Sequence, residues 1–377
     1  MAINTIKICI LTFHSAFNYG AMLQAYALQE TVKNLGYEVK IINYRPSKQK
    51  GMYSVINTSS FSKATILKNL YNLFYVKKIR LRNESYLKFL NENLSIDPIE
   101  FITEDEVPRI VQKYDVVVTG SDQIWNFSEK SLDRSTRYLV DFEFQGKRIS
   151  YAASFGDGVE DAERISDVII PLLKKYDALS VREIEAKKYL SKYNLESMMT
   201  LDPTLLLPRD EWSLIASPRV ISEPYILYYS VNSRPYSLRV TKKIEKLLGI
   251  KVVNLVLHPK SWNSHFDNII QYGPAEFLSM IKNAEFVVTN SFHGTIFSIL
   301  YEKAFISVFD TKNGKLVREN RKATLLESLG LEYFMVTEFT DINIEKIKAF
   351  DFTHSHNKLH ELRKASIKYL RCCLKED

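Results

Sequence analysis

The stretch VVTNSFHGTIFS, residues 287 to 298, places a histidine where a strand pattern changes into a helix pattern. Ser291 is a preferred helix N-cap, so the helix is predicted to begin within two residues of it. The positive end of that helix would attract an anion, and a bound phosphate would favour the protonated imidazole of His293. Gly294 is expected to leave the approach open. The stretch predicts a proton donor beside an anion site, with Asn290 and Ser291 contacting substrate.

A carboxylate follows another buried strand pattern, in VVVTGSDQIWN from residue 116 to 126. Asp122 could accept a proton or bind a sugar hydroxyl, and Trp125 could stack on a sugar face. The alternative has Asp122 as a helix cap and Trp125 in the core, because aspartate is among the best capping residues. Both interpretations stay open at this stage.

Cationic side chains follow two further strand patterns. Arg182, in LSVREIEA, is expected to grip a phosphate or carboxylate with its planar fork, the alternative being a salt bridge to Glu183 or Glu185. Lys312 and Arg321 belong to a basic run that follows the FISVF strand pattern. Such a run is usually a solvated face, but here it could supply charge to an anionic substrate.

The first strand pattern is followed by FHSAFNYGAMLQ, residues 13 to 24. His14 is a candidate base, and Asn18 and Tyr19 lead into a helix whose first N–H groups could hold an anion. The loop lacks the GxGxxG spacing of dinucleotide sites. His258 also follows a strand pattern and is a candidate substrate ligand, but the spacing of its loop is not that of a metal site.

These residues need a frame of parallel strands to bring them together. An apolar strand (6–13), a helix (20–36) and a second strand (37–46) form a βαβ unit, which predicts a parallel sheet. A basic, aromatic helical insertion follows at 60–95. Further strand patterns lie at 113–125 and 148–158, followed by a shorter one within 178–190.

A second α/β set follows LDPTLLLPRDEW, whose two prolines suggest a domain crossing. We therefore predict an α/β, GT-B-like fold of two Rossmann-like domains facing a cleft, 1–205 on the acceptor side and 206–350 on the donor side. A helix in 351–377 would pack back on the junction. Ligands in such sheets lie outside the carboxyl ends of the strands. The remaining patterns are strands at 225–231, 251–257, 285–290 and 304–309 and helices at 236–248, 274–283 and 293–302.

Composition narrows the class of protein. The 377 residues are 46% hydrophobic with a net charge of +7, typical of a globular protein that meets anionic small molecules or membrane surfaces. No motif indicates nucleic-acid binding, and three cysteines give neither a disulfide framework nor a zinc site. Neither a signal peptide nor a membrane-spanning stretch is recognisable, which predicts a cytoplasmic protein. Residues 68–82 are interpreted as an ordinary amphipathic helix or as one lying on the inner membrane surface.

Together these motifs resemble the polysaccharide pyruvyl transferase family. The resemblance covers roughly residues 8 to 310 and rests on six pieces in family order. It implies a GT-B-like fold and transfer of pyruvate from phosphoenolpyruvate to two sugar hydroxyls, giving a cyclic ketal and phosphate. The pieces are FNYGAMLQAYALQ, GSDQIWN, RISYAASFG, LSVREIEA, LDPTLLL and NAEFVVTNSFHGTIFSILYEKAFISV.

The chemistry of this transfer suggests roles for individual residues, and the resemblance supports those of His293 and Arg182. His293 would donate a proton to C3 or to the leaving phosphate, and Arg182 would bind the donor anion. Asp122 would orient or deprotonate an acceptor hydroxyl, with His14 as its competitor. The implied partners are phosphoenolpyruvate and a galactose-type sugar in a glycan or on a polyprenyl carrier, with no metal or other cofactor.

One position departs from the family pattern. Many members carry Arg-Leu-His where this chain has Ser291-Phe292-His293. The donor-binding cation is therefore expected elsewhere, and Arg321 and Lys312 are the candidates. Two other functions stay open: a nucleotide-sugar glycosyltransferase on the same fold, and a non-catalytic glycan-binding protein.

Overall fold

The computed structural model describes residues 6–46, 63–128, 135–156, 158–231, 235–256, 263, 265–312, 315–316, 320–337 and 340–375. The chain divides into two compact units. The described residues of unit 1 fall within Met1–Ser54, Leu90–Leu207 and His360–Asp377. Those of unit 2 fall within Val55–Phe89 and Pro208–Leu359.

The strands are short and most belong to two parallel sheets. They are β1 Lys7–Leu11, β2 Glu38–Tyr44, β3 Ile96–Ile102, β4 Val116–Thr119, β5 Lys147–Ser150, β6 Ser180–Val181, β7 Met198–Met199, β8 Ile226–Tyr229, β9 Val252–Leu255, β10 Asp267–Ile269, β11 Phe286–Thr289, β12 Phe305–Val308, β13 Thr311–Lys312, β14 Lys315–Leu316 and β15 Met335–Val336.

The α-helices alternate with these strands through most of the chain. They are α1 Tyr19–Asn34, α2 Lys63–Phe74, α3 Val76–Asn93, α4 Val107–Val111, α5 Val159–Arg164, α6 Ser166–Leu173, α7 Ile184–Ser191, α8 Arg209–Ile215, α9 Pro235–Leu248, α10 Pro274–Asn283, α11 Phe292–Leu300, α12 Asn320–Leu329, α13 Ile344–Lys348 and α14 Thr353–Leu374.

The sheet of unit 1 has the order β3-β2-β1-β4-β5, and its neighbouring strands are parallel. The chain builds outward from β1 through β2 to β3, then returns to place β4 on the other side of β1. The strand order thus reverses between β1 and β4. In open α/β sheets the crevice at such a switch point is where ligands bind.

The sheet of unit 2 has the order β10-β9-β8-β11-β12-β15, and its neighbouring strands are also parallel. As in unit 1, the strand order reverses once. Its switch point lies between β8 and β11. All residues of β8, β9, β11 and β12 are buried. Continuous apolar runs are expected in a parallel sheet covered on both faces. The predicted α/β class and parallel sheets are confirmed.

The observed strands are shorter than the stretches in which they were predicted. The stretch 113–125 contains β4 as Val116–Thr119, and β5, which is Lys147–Ser150, reaches only the first part of the stretch 148–158. In both cases the pairing ends where the chain turns at the carboxyl edge of the sheet. The helices are better matched, because the predicted helix at 274–283 is observed as Pro274–Asn283.

The helical insertion belongs to a different unit from the one that the sequence suggested. Ile79 on α3 packs against Val256 and Ile270 of unit 2. Ser85 Oγ donates a hydrogen bond of 2.8 Å to Glu276 Oε2 in the first turn of α10. The described residues 63–89 therefore group with unit 2, whereas the sequence placed the whole insertion 60–95 in the first domain.

The last helix begins in unit 2, and from His360 onward it belongs to unit 1. Tyr369 Oη donates to Ser150 O over 3.0 Å, and Ser366 Oγ accepts from Leu201 N over 3.0 Å. The helix thereby covers the end of β5. Among the described helices, none has the length and apolar character needed to cross a membrane.

Candidate active site

The junction between β11 and α11 has the geometry that the sequence predicts. Ser291 is extended, with φ −83° and ψ 137°, and its Oγ accepts a hydrogen bond of 3.3 Å from Gly294 N. Its own N–H donates to Thr289 Oγ1 over 3.0 Å. Ser291 is therefore the N-cap of α11, and this fixes the direction of the first turn.

Asn290 ties the two strands of the switch point together. Its Oδ1 accepts a hydrogen bond of 3.0 Å from Val231 N, in the segment that follows β8. The carboxyl ends of β8 and β11 are thus held side by side. Through this hydrogen bond Asn290 has a structural role next to the predicted anion site.

His293 is the second residue of α11 and is almost buried. Its ring meets Phe292 edge to face, with 5.3 Å between the ring centroids. A helix leaves the N–H groups of its first turn without intrahelical acceptors and carries partial positive charge there. His293 therefore lies at a helix start, as predicted from the sequence, and the strand order places this helix start at the switch point of the sheet.

Arg321 supplies a positive charge near this histidine. Its guanidinium carbon lies 5.7 Å from the ring centroid of Phe292, the first residue of α11. The neighbouring Lys322 is used otherwise, since its Nζ donates to Val308 O over 2.9 Å and lies over Phe309. Arg321 is thus the candidate cation that the described structure places over Phe292, the residue that precedes the histidine.

Two other predicted ligands are not settled by the structure. The backbone of Lys312 is in β13, but its side chain lies outside the described residues, as does the whole of His258. Their substrate-binding roles stay predictions.

Gly294 has a packing role that differs from the predicted one. A Cβ added there would lie 2.4 Å from Thr289 Oγ1 and 3.1 Å from Tyr229 Cδ1. The missing side chain lets α11 approach β11 and β8 closely and does not clear a path for substrate. The prediction that Gly294 opens the site was wrong, because the glycine faces the sheet.

In unit 1 the chain segments after β4, β5 and β6 run side by side. Isolated bridges pair Asp122 with Ala153 and Ala153 with Val181. The backbone of Asp122 is left-handed, with φ +70°, and its Oδ1 accepts from Gln123 N over 2.8 Å. No helix starts at this point of the described chain, so Asp122 does not cap one. The bridges bring Asp122 next to the residues that follow β6.

Arg182 forms a buried ion pair. Its Nη1 donates to Asp202 Oδ2 at very short range, and its Nη2 lies 3.8 Å from Asp122 Oδ1. Burial opposes the charge of Arg182, but the carboxylates of Asp202, Glu183 and Asp122 outweigh it and raise the guanidinium pKa. The salt bridge, the alternative to an anion-gripping role, is the observed state, with Asp202 as partner in place of Glu183 or Glu185.

Sequence reasoning missed Asp202 as a site residue. Its Oδ1 accepts hydrogen bonds from Thr204 N at 3.0 Å and Thr204 Oγ1 at 2.6 Å. Its Oδ2 faces Arg182, and Ser121 Oγ lies 3.5 Å away. The available signal was the LDP triplet at 201–203, which caps a 3₁₀ turn. The sequence signal explains only the local cap at Asp202, and it does not indicate the ion pair with Arg182, twenty residues earlier.

Three predicted ligands of unit 1 are structural. Trp125 is fully buried, donates its Nε1–H to Tyr138 O over 3.2 Å and packs on Phe155, so the sugar-stacking prediction was wrong. Tyr19 is fully buried in the first turn of α1. Asn18 is the N-cap of α1, accepting from Gly20 N over 2.9 Å, and its capping oxygen competes with any anion there.

His14 is also buried, which argues against a role as base. Its Nε2 lies 3.0 Å from Asn43 Oδ1 and its Nδ1 lies 3.2 Å from Thr12 O. Burial lowers the pKa of His14 to about 4, and the nearby Arg45 adds to this, against the contacts with Asn43 and Thr12. The ring is neutral at neutral pH and holds strand ends together.

A buried amide joins the same strand ends. Gln24 Nε2 lies within 3.0 Å of Thr12 Oγ1 and Phe13 O, and Gln24 Oε1 accepts from Ser121 N over 3.2 Å. Thr12 Oγ1 in turn donates to Ser121 O over 2.9 Å. The segments after β1 and β4 are thereby fixed, which sets the position of Asp122. Within the described residues, no group of three or more His, Cys, Asp or Glu could hold a metal ion.

The fold defines a class: the two Rossmann-like domains are those of the GT-B class of α/β enzymes. A family model for polysaccharide pyruvyl transferases matches residues 18–313. The chain therefore belongs to the polysaccharide pyruvyl transferase family and is a transferase acting on polysaccharide. No curated protein matches the chain.

Solved structures with the same fold are distant in sequence. The UDP-GlcNAc 2-epimerase of Methanocaldococcus jannaschii aligns over 98% of this chain and 99% of its own, with 13% identity and a TM-score of 0.55. A Listeria monocytogenes protein assigned as a UDP-N-acetylglucosamine 2-epimerase aligns over 96% of this chain and 91% of its own, with 11% identity and a TM-score of 0.52. At such identities the likeness extends to the fold alone.

Proposed function

We propose that this protein transfers pyruvate from phosphoenolpyruvate to two hydroxyls of a sugar and releases phosphate, so that a cyclic ketal forms during cell-surface polysaccharide synthesis. The observation that carries the proposal is the position of His293, in the first turn of α11 at the switch point of its sheet, with Arg321 across Phe292. Helix starts and arginines are suited to a donor with a phosphate and a carboxylate.

The reaction needs a proton at C3, the loss of a proton from each sugar hydroxyl, and two additions of oxygen to C2. His293 protonates C3 of the enol, and the first sugar hydroxyl adds to C2 and loses its proton to a base. The C2–O bond to phosphate then breaks, and the second hydroxyl closes the ring as its proton leaves with phosphate. Two hydroxyl protons are lost, one is gained by C3 and one by phosphate, so the balance closes without any cofactor beyond the donor.

The carboxylate cluster of unit 1 suits the acceptor. Three carboxylates, those of Asp122, Asp202 and Glu183, surround the single guanidinium of Arg182 in a buried setting. A net negative cluster repels the phosphate and carboxylate of the donor but accepts hydrogen bonds from hydroxyls. We assign Asp122 to orienting or deprotonating an acceptor hydroxyl, and Arg182 to holding Asp122 and Asp202 in place.

The acceptor is proposed to be a galactose-type sugar in a glycan or on a polyprenyl carrier, met in the cytoplasm at the inner face of the membrane. The test incubates the protein with phosphoenolpyruvate and a panel of synthetic galactosides. We expect phosphate release only when the right acceptor is present, together with a product heavier by one pyruvate less one water. A protein that releases no phosphate with any acceptor and is thermally stabilised only by UDP- or GDP-sugars would overturn the proposal.

A further inference from the structure

Helices α2 and α3 present an apolar stripe to solvent. The backbone bonds Tyr75 N to Tyr71 O and Ile79 N to Tyr75 O carry helical hydrogen bonding across the join between them. Four exposed apolar residues of α2 follow helical spacing, with Leu70 58% exposed and Phe74 81% exposed. In a helix, side chains at i, i+4, i+7 and i+8 share one face. We call this helix pair the arm and this face, with the exposed residues Ile66, Leu70, Leu73, Phe74, Lys77, Lys78, Arg80 and Leu81, the arm surface.

The opposite face of the arm is the one that packs on unit 2. Ile79 is buried against Val256 and Ile270, and Tyr71 and Tyr75 pack around it. The arm is thus fixed by one face and keeps the arm surface for another contact. Exposed apolar patches of this kind mark interaction sites in folded proteins.

The arm is attached at the edge of the sheet that carries the candidate donor site. Val256 and Ile270 directly follow β9 and β10, at the carboxyl ends of these strands. His293 follows β11 at the same edge of the same parallel sheet. Neighbouring strands lie about 4.8 Å apart, so the ends of β9 and β11 are separated by roughly 10 Å.

Charge decides which partner fits. Over the whole arm, residues 63–93, the sequence has seven lysines and arginines against two glutamates, Glu84 and Glu92, so the arm carries a net positive charge. A second copy of this chain would bring the same positive charge against the arm surface and be repelled. A bilayer rich in anionic lipid offers both an apolar interior and negative charge, the combination that interfacial helices with lysine and arginine flanks bind.

We propose that the arm surface docks unit 2 on an anionic lipid bilayer, with Leu70, Leu73 and Phe74 entering the boundary between headgroups and acyl chains. Lys77 and Lys78 bind anionic headgroups. The inference deepens the proposed function by placing the donor site close to the surface where a lipid-linked acceptor resides, and it rests on that function for this meaning.

Vesicle co-sedimentation of the full chain tests the docking directly. We expect binding to vesicles of phosphatidylglycerol mixed with phosphatidylcholine, weakening as salt rises, and little binding to phosphatidylcholine alone. Lys77→Gln/Lys78→Gln should weaken binding about 25-fold, at about fivefold for each lysine lost near the surface. Leu70→Glu/Phe74→Glu should abolish it, with thermal melting used to verify that the variant folds.

Leu214→Glu is the matched control, because Leu214 is 84% exposed on α8 in the same unit but belongs to no basic stripe. It should bind vesicles like the wild type. Equal loss in the control, or unchanged vesicle binding in both arm variants, overturns the docking. So does a wild-type dimer in sedimentation velocity that the arm variants dissociate, since the arm surface would then join two copies. Vesicle binding needs no phosphoenolpyruvate, so its outcome is separate from that of the phosphate-release assay.

Discussion

At the switch point of unit 2 a histidine lies at the start of a helix and an arginine lies over the phenylalanine before it, whereas near that of unit 1 an arginine is surrounded by carboxylates. Both sheets reverse strand order and present their strand ends in the same way. They differ in charge balance: Arg321 approaches Phe292, while Arg182 is paired with Asp202. Under the proposed function, one architecture would bind the donor anion at one switch point and acceptor hydroxyls near the other, depending on where the carboxylates are placed.

The largest expected effect comes from His293 of unit 2, and the buried His14 of unit 1 serves as its control. His293→Gln should lower kcat by about a thousandfold, because general acid catalysis typically contributes 10²–10⁴. His14→Gln should change kcat by less than about tenfold while lowering stability, since His14 is in the core. Steady-state phosphate release by both variants gives the answer, and near-normal turnover in His293→Gln would remove His293 from the mechanism.

The next largest effect, on the free energy of unfolding, is expected from breaking the buried Arg182–Asp202 ion pair of unit 1. Asp202→Asn keeps an acceptor for Thr204 but leaves Arg182 with one carboxylate fewer, and should lower the free energy of unfolding by about 3 kcal/mol. The matched control is Asp161→Asn, whose partner Arg164 is 74% exposed, with an expected change below about 1 kcal/mol. Urea unfolding measures both. Equal changes in the two variants would show that the Arg182–Asp202 ion pair stabilises the fold no more than an exposed pair does.

Acid sensitivity should also originate in unit 1. The folded pKa of His14 is about 4, below the value of about 6.5 in an unfolded chain. The unfolded chain therefore binds the extra proton, and stability falls as pH drops from about 6.5 to about 4, by up to about 1.4 kcal/mol per pH unit. The free energy of unfolding, measured with urea at several pH values in that range, should depend less steeply on pH in His14→Gln than in the wild type. A variant with the same slope as the wild type would show that other groups cause the acid effect.

A smaller effect, on the KM for phosphoenolpyruvate, is expected from replacing Arg321, the candidate donor-binding cation of unit 2. Arg321→Met should raise the KM for phosphoenolpyruvate about tenfold, since one charge-assisted contact contributes about 1.5 kcal/mol. Arg239→Met, on the exposed side of α9, is the control and should leave KM unchanged. If both variants behave alike, the donor-binding cation lies elsewhere, with Lys312 the next candidate.

The smallest effect should come from the helix cap. Ser291→Ala removes the acceptor for Gly294 N and should cost about 1 kcal/mol of stability. Ser291→Asp restores an acceptor and should recover most of that loss, as thermal unfolding would show. Equal stability of the two variants would mean that the cap does not define the start of α11.

Local sequence patterns were sufficient to predict the parallel sheets and the position of His293 at the start of a helix. Ser291, His293 and the α11 start follow from capping preference and apolar spacing within twelve residues. The Arg182–Asp202 pair spans twenty residues and depends on how separate strand ends align, which no local pattern encodes.

The sequence also did not show in which direction the side chains near the strand ends point. Trp125 and Tyr19 follow strand ends, yet both point into the core, and Gly294 faces the sheet. A loop sequence does not reveal the side on which each residue lies. The membership of the insertion in unit 2 was hidden for a similar reason, since Ile79 looks like any apolar helix residue until its partners Val256 and Ile270 are known.

Ser291 stands where the family pattern has an arginine, and the nearby positive charge comes from α12 instead. The helix cap and the cation are therefore carried by two residues on two elements. A mutation at position 321 can alter charge without disturbing the start of α11, and one at 291 can alter the helix start without removing the charge. Such a division lets the two properties vary independently under selection, whereas a single arginine at the cap would tie them to one codon.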